Sequence, residues 1–359
     1  MTESVVGPRV KAVAGMDDES LAIVIAAVFF AATAIVALLV FGGRELPIDG
    51  RGSLGEFTAL AGAAAAGVSF VVSMVLPRRR ARLSAVGVGY RWFDVAALAL
   101  AHGAIALLGW IGAASIMDHS FVGATVFATP ASILAAAAAG LSAYLAFISA
   151  ANTSAGQLSI VLAVFLVVGV VAAMLSATDP QWWQMNLSAL GITHDISSLT
   201  FNVTLIISGV IVTTIARVGT AALPVATGVE RRRRFEVRIL FVLIGVLLTC
   251  VGIFPVDRFL LLHNTVATGM AVAYAVLVLG LPWFLPRMPR VFMILGFVYV
   301  AVIIALAVLF FTGIYNLTAV ELVSAMLIFS WIILFLRNVQ SIDGGAVTAA
   351  SPAMAERAG

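Results

Sequence analysis

The chain has 359 residues, of which 62% are hydrophobic and only 10% charged, with a formal net charge of +3 and a mean hydropathy of +1.14. Soluble domains carry about 25% charged residues and about 45–50% apolar ones, so a chain this poor in charge cannot cover a water-facing surface. Composition therefore excludes a soluble enzyme or binding domain, and the single cysteine, Cys250, excludes an intrachain disulfide framework. Lys11 is the only lysine among many arginines, a bias that points to a high-GC bacterial genome.

Along the chain, residues 1–20 read as a short polar tail on the cytoplasmic side. Asp17, Asp18 and Glu19 stand where a cleavable signal would carry positive charge, so the first apolar run reads as a retained helix. Crossing a hydrocarbon core about 30 Å thick takes about 20 residues of α-helix. Ten segments qualify, at 21–41, 60–76, 93–116, 130–150, 158–176, 199–215, 239–254, 265–285, 291–311 and 320–336. None alternates polar and apolar residues, and an open strand would leave its backbone unpaired in lipid. The expected fold class is an all-α integral membrane protein with about ten transmembrane helices. Residues 339–359, rich in small residues, read as a disordered cytoplasmic tail.

Arginine sets the orientation, because it is costly to translocate. With the N-terminus inside, the inner segments receive Arg9, Lys11, Arg78, Arg79, Arg80, Arg82, Arg91, Arg217, Arg231, Arg232, Arg233, Arg234, Arg238, Arg287, Arg290, Arg337 and Arg357. The outer loops keep only Arg44, Arg51 and Arg258. This asymmetry places both termini in the cytoplasm and the chain in the inner membrane of a bacterium. The inner clusters can attract anionic lipid, but topology alone explains them better.

Helices one to four and five to eight share loop features. Ser53-Leu54-Gly55 matches Ser188-Ala189-Leu190-Gly191, the arginine clusters follow at similar places, and Gly112 with Asp118 matches Gly252 with Asp257. The reading is two parallel four-helix repeats plus two helices, with membrane modules at 21–156 and 157–338. Positive-inside bias and the frequency of glycine in membrane helices give the same pattern without duplication.

Polar groups collect on the outer face. His102 is the one ionisable group near mid-membrane, and a core histidine bonded to a neighbouring helix is favoured over a proton relay or haem ligand. Outside it, Asn186, His194, Asp195, Asn202, Asp257, Arg258, His263 and Asn264 form a candidate ligand-binding cluster, with Trp182 and Trp183 at headgroup depth. Their individual readings are blander: interfacial anchors, a solvated pair and helix caps. The His/Asp spacing is not that of a metal site, and no catalytic residue or cofactor is indicated.

Residues 158–336 resemble the DUF nine-nine-eight family of bacterial multi-pass membrane proteins, related to the DRAM/Sfk group. The resemblance rests on Asn186-Leu187-Ser188-Ala189-Leu190-Gly191, Phe201-Asn202, Gly209 and Gly252-Ile253-Phe254-Pro255, followed by Asp257 and His263. It implies a helical bundle concerned with lipid handling, and it supplies no reaction.

The leading expectation is a lipid-associated membrane protein or an accessory subunit of an envelope complex, leaning away from an enzyme. The alternatives are a transporter or flippase-like carrier of a lipid or small apolar solute, and a hydrolase or transferase using the outer His/Asp groups. A carrier should show a polar path through Asn202, Ser208 and Thr268. Expected partners are membrane lipid and a partner membrane subunit, with no nucleic acid.

Overall fold

The computed structural model describes residues 16–76, 92–192, 196–221 and 227–355. Ten long helices carry the chain: α1 (Asp18–Phe41), α2 (Leu54–Val75), α3 (Trp92–Ser120), α4 (Ala128–Ala151), α5 (Ala155–Leu175), α6 (Ile196–Ala221), α7 (Gly228–Ile253), α8 (Leu260–Phe284), α9 (Arg290–Phe311) and α10 (Leu317–Ala355). Each contains a stretch long and apolar enough to cross a membrane. The only sheet among the described residues is a two-stranded antiparallel ribbon, β1 (Glu45–Pro47) with β2 (Thr125–Phe127). The protein is an all-α multi-pass membrane protein.

Local capping fixes the helix ends. The Asp17 carboxylate accepts the Ser20 N–H at 2.9 Å, and α1 ends on Gly42 at φ 55°, whose N–H returns to the Leu38 carbonyl. Ser53 caps α2 by accepting the Glu56 N–H at 3.0 Å, while the Glu56 carboxylate takes the Gly52 N–H at 2.6 Å. At α7, Thr227 and Glu230 form a reciprocal capping box. That cap explains a difference from the sequence reading: the helix starts at Gly228 and carries Arg231 to Arg234, which hydropathy alone assigns to a loop. At the far end, α10 continues through Ala355, where composition predicts disorder; its apolar span ends at Val339.

The chain divides into two units, Met1–Thr153 and Ser154–Gly359. In the first, α4 packs on α1 and α2, and α2 packs on α3, giving the neighbour order α1–α4–α2–α3. The buried faces are made of small residues: Thr58, Ala59, Gly62, Ala65, Ala66, Ser69 and Ser73 on α2, and Ala131, Ala135, Ala139 and Ala143 among those on α4. In lipid, helices associate through close packing rather than through apolar burial, and small side chains let backbones approach. A Cβ on Gly62 would lie 2.8 Å from the Trp110 ring and 3.2 Å from Ser142 Oγ.

The second unit is a ring. α5, α6, α7 and α8 pack in series, α9 lies against α8 and α10, and α10 closes on α5. Aromatic side chains from α7, α8, α9 and α10 fill part of its interior: Trp331 stacks on Phe292 at 5.0 Å and on Phe335 at 5.6 Å, with Tyr274 and Phe241 at their edges. This serial order differs from that of the first unit, so the packing lends the expected duplication no support.

Candidate functional site

His102 is the satisfied core histidine that the sequence favours. Its Nδ1 lies 2.7 Å from the Leu98 carbonyl and its Nε2 2.9 Å from Ser149 Oγ on α4, with the ring 4.5 Å from that of Phe70. A carbonyl only accepts, so Nδ1 carries the proton and the neutral ring accepts from Ser149 at Nε2. Both ring nitrogens are thereby partnered inside the first unit.

The polar cluster falls at the end of the second unit where α6, α8 and α10 begin. The segment between α5 and α6 makes two 3-10 turns there, Trp182–Gln184 and Leu187–Gly191. Leu187 and Leu190 turn inward and pack with Ala173, Phe201, Leu205, Leu248, Val251 and Val266. Polar bonds fasten this cap to three helices. Thr318 Oγ1 donates to the Trp183 carbonyl at 2.7 Å. The Glu321 carboxylate accepts the N–H of Leu187 at 2.5 Å. His263 donates from Nδ1 to the Phe254 carbonyl at 2.7 Å and accepts Ser188 Oγ–H at Nε2, 3.0 Å away. Asn202 Nδ2 donates to the Gly191 carbonyl at 3.1 Å.

Three close packings lie under these bonds. A Cβ on Gly191 would lie 2.5 Å from Asn202 Oδ1, and one on Gly252 would lie 2.6 Å from the Asn202 carbonyl oxygen. Gly209 and Gly245 are equally tight between α6 and α7. The cap is a built structure, and the side chains of Thr318, Glu321, His263 and Asn202 are spent on building it.

Of the eight cluster residues, the structure brings Asn186, Asn202 and His263 into this cap. Asn186 Oδ1 is buried and has no partner among the described residues. Asp257 and Arg258 make a 3.9 Å pair on the exposed rim, and Asn264 is exposed at the start of α8. His194 and Asp195 lie outside the described residues, as do Arg78, Arg79, Arg80 and Arg82. Sequence reasoning missed Glu321 and Thr318 as fasteners, although an isolated glutamate at the start of an apolar span was a usable signal.

Two chemistries can be judged from this geometry. Ser188 and His263 have the spacing of a nucleophile and its base. However, His263 is 4% exposed, and the Leu187 N–H beside Ser188 is taken by Glu321. Among the described residues, no three of His, Cys, Asp and Glu come together as a metal site requires.

The first unit holds a different feature. A partly open apolar cavity of about 270 Å³ lies beside the β1–β2 ribbon, just below the usual ligand-pocket range of about 300–1,000 Å³. It is lined by Ile48 and Val126 at the ribbon, by Leu54 of α2, by Trp110, Ala113, Ala114 and Met117 of α3, and by Leu134 and Leu141 of α4. Leu134 and Leu141 on its α4 side are each at least half exposed, so the opening faces the surroundings of the bundle. Trp110 Nε1 donates to Ser142 Oγ at 2.9 Å, which satisfies the one polar group of that ring and presents its apolar face.

No protein-family model, curated protein or solved structure matches the chain.

Proposed function

We propose that this chain is a lipid-associated protein of the bacterial inner membrane, non-catalytic, that holds a lipid hydrocarbon chain in the lateral cavity of its first unit. The cavity carries the reading. It is apolar, opens toward the bilayer, and starts at the helix ends where α2 begins and α3 finishes, which is where a lipid chain leaves its headgroup. The arginine asymmetry supports an orientation with this end outward and both termini in the cytoplasm. An accessory role in an envelope complex is compatible with such a site.

The carrier alternative loses its expected path: Asn202 is bonded to the Gly191 carbonyl, Ser208 is fully buried, and Thr268 faces outward from the ring. The hydrolase alternative is favoured less, because His263 is buried and the Leu187 N–H is already taken by Glu321. We also propose kinship of 158–336 with the DUF nine-nine-eight family, on motif residues that include the cap's own fasteners, Ser188, Gly191, Asn202 and His263.

The test is lipid retention through purification in mild detergent, read by mass spectrometry. Ala113 lines the cavity and is half-buried, so Ala113→Phe should fill the space without strain in the core. Each buried CH₂ is worth about 0.8 kcal/mol, so displacing two should reduce retained lipid roughly tenfold. Ile116→Phe, on the exposed side of α3, should leave it unchanged. Equal retention by wild type and Ala113→Phe would remove the cavity from the account.

A further inference from the structure

The lateral cavity of the first unit has one hydroxyl among its lining side chains, that of Thr58 on α2. Trp110 is the other lining side chain with a polar atom, and its Nε1 is already bonded to Ser142. Thr58 is 8% exposed, and its Oγ1 makes no hydrogen bond. Hydroxyls elsewhere in these helices turn back on the carbonyl four residues earlier. Ser132 bonds Ala128 at 2.7 Å and Ser142 bonds Ala138 at 2.8 Å on α4, and Thr265 bonds Leu261 at 2.7 Å on α8. Of the buried hydroxyls without a partner among the described residues, those of Thr58, Ser69, Ser73, Ser208 and Tyr274, only that of Thr58 belongs to this cavity.

A buried hydroxyl without a partner is costly, so one at a cavity wall favours a ligand that brings a polar atom to it. Threonine takes two χ1 rotamers in a helix, and a turn about Cα–Cβ exchanges its methyl and hydroxyl at the wall. Depth selects the atom. Thr58 stands one turn into α2, about 6 Å along the axis from Leu54, whereas Leu141 lies about 20 Å from the start of α4. The polar layer on each side of a bilayer is about 5–7 Å thick, so Thr58 falls near the headgroup end of a chain that reaches Leu141. Acyl lipids carry their ester carbonyl there. A carbonyl oxygen only accepts, and Thr58 supplies a donor. A free carboxylate fits less well, because no charged side chain lines the cavity to neutralise it.

We propose that Thr58 donates a hydrogen bond to the ester carbonyl of an acyl glycerolipid whose chain fills the cavity, so that the site takes ester-linked lipid in preference to ether-linked lipid. This rests on the lipid reading of the cavity and adds the class of lipid to it.

The experiment uses the full chain, delipidated in detergent. It is titrated with dioleoyl phosphatidylglycerol and with the ether-linked analogue of the same chains and headgroup, and the adducts are read by native mass spectrometry. Wild type should bind the ester lipid roughly two- to tenfold more tightly, the range that one hydrogen bond gives. Thr58→Val should bring the ester lipid down to the level of the ether lipid, and Thr58→Ser, which keeps the hydroxyl, should retain the preference. Equal affinity of wild type for the two lipids, or a preference that survives in Thr58→Val, would overturn the proposal. Melting of the delipidated protein gives a second readout. Removing a hydroxyl that has no partner in the fold should leave Thr58→Val at least as stable as wild type. A lower melting temperature would show the hydroxyl to be bonded within the chain, and would also overturn the proposal. Ala113→Phe separates this failure from that of the cavity itself. If that variant weakens both lipids while wild type does not distinguish them, the cavity stands and the carbonyl bond falls. If it weakens neither, the cavity reading falls and this proposal falls with it.

Discussion

Gly252 and Gly112 look alike in sequence, each toward the end of an apolar helix a few residues before an aspartate, and they differ in what surrounds them. A Cβ on Gly252 would meet the Asn202 carbonyl oxygen at 2.6 Å, whereas one on Gly112 meets nothing within 4 Å. Gly252→Ala and Gly191→Ala should therefore each destabilise the protein by about 1–3 kcal/mol, the usual cost of overpacking, and Gly112→Ala should leave it unchanged. Thermal unfolding in detergent checks all three, and equal melting points would mean that α6 and α7 can part freely. The Ser188–His263 pair makes the second prediction at this scale. Ser188→Ala strands His263 Nε2 in a nearly water-free place, and His263→Phe removes both that bond and the one to the Phe254 carbonyl, so each should cost about 1–3 kcal/mol. In the double variant the losses should fall short of the sum, because the shared bond is counted once. Full additivity would show that the two side chains do not work together. These residues were visible in the sequence as a polar concentration. Their role was not visible, because a side chain that closes a structure and one that awaits a ligand have the same composition.

At the scale of elements, hydropathy located all ten spans and misplaced several of their ends. The reason is clearest at α7. Arg231 to Arg234 break the apolar run, yet Thr227 and Glu230 cap a helix that contains them, and long arginine side chains can reach the interface from a helical backbone. Thr227→Ala should lower stability by about 1 kcal/mol, and hydrogen exchange should quicken in the first turn of α7 while that of α6 stays unchanged. Loss of protection along both helices would mean that the cap supports more than its own turn. The segment between α5 and α6 shows the limit of span-based reading in another way. It is too short and too polar for a span, so nothing in its hydropathy indicated two 3-10 turns whose Leu187 and Leu190 enter the core. The Trp182–Trp183 pair reads as an interfacial anchor, but Trp182 packs against that core and only Trp183 is exposed.

For the whole molecule, composition and arginine placement made the class and the number of spans legible. The order in which helices pack was not, since an apolar face is suited equally to lipid and to any neighbour. That is why the loop motifs suggested two equivalent quartets, while the contacts give α1–α4–α2–α3 in one unit and a ring of six helices in the other. It is also why the cavity went unseen: its walls are alanine, leucine, methionine and tryptophan drawn from three helices and a ribbon, with no motif among them. The proposed lipid site is this cavity, rather than the polar cap of the second unit. The most direct test is photolabelling in native membranes with a phospholipid bearing a diazirine along its acyl chain, followed by peptide mapping. Labelling should concentrate on Trp110, Met117 and Leu141, and Ala113→Phe should abolish it there. Labels spread evenly over the exposed faces of all ten helices, with no change in that variant, would contradict it.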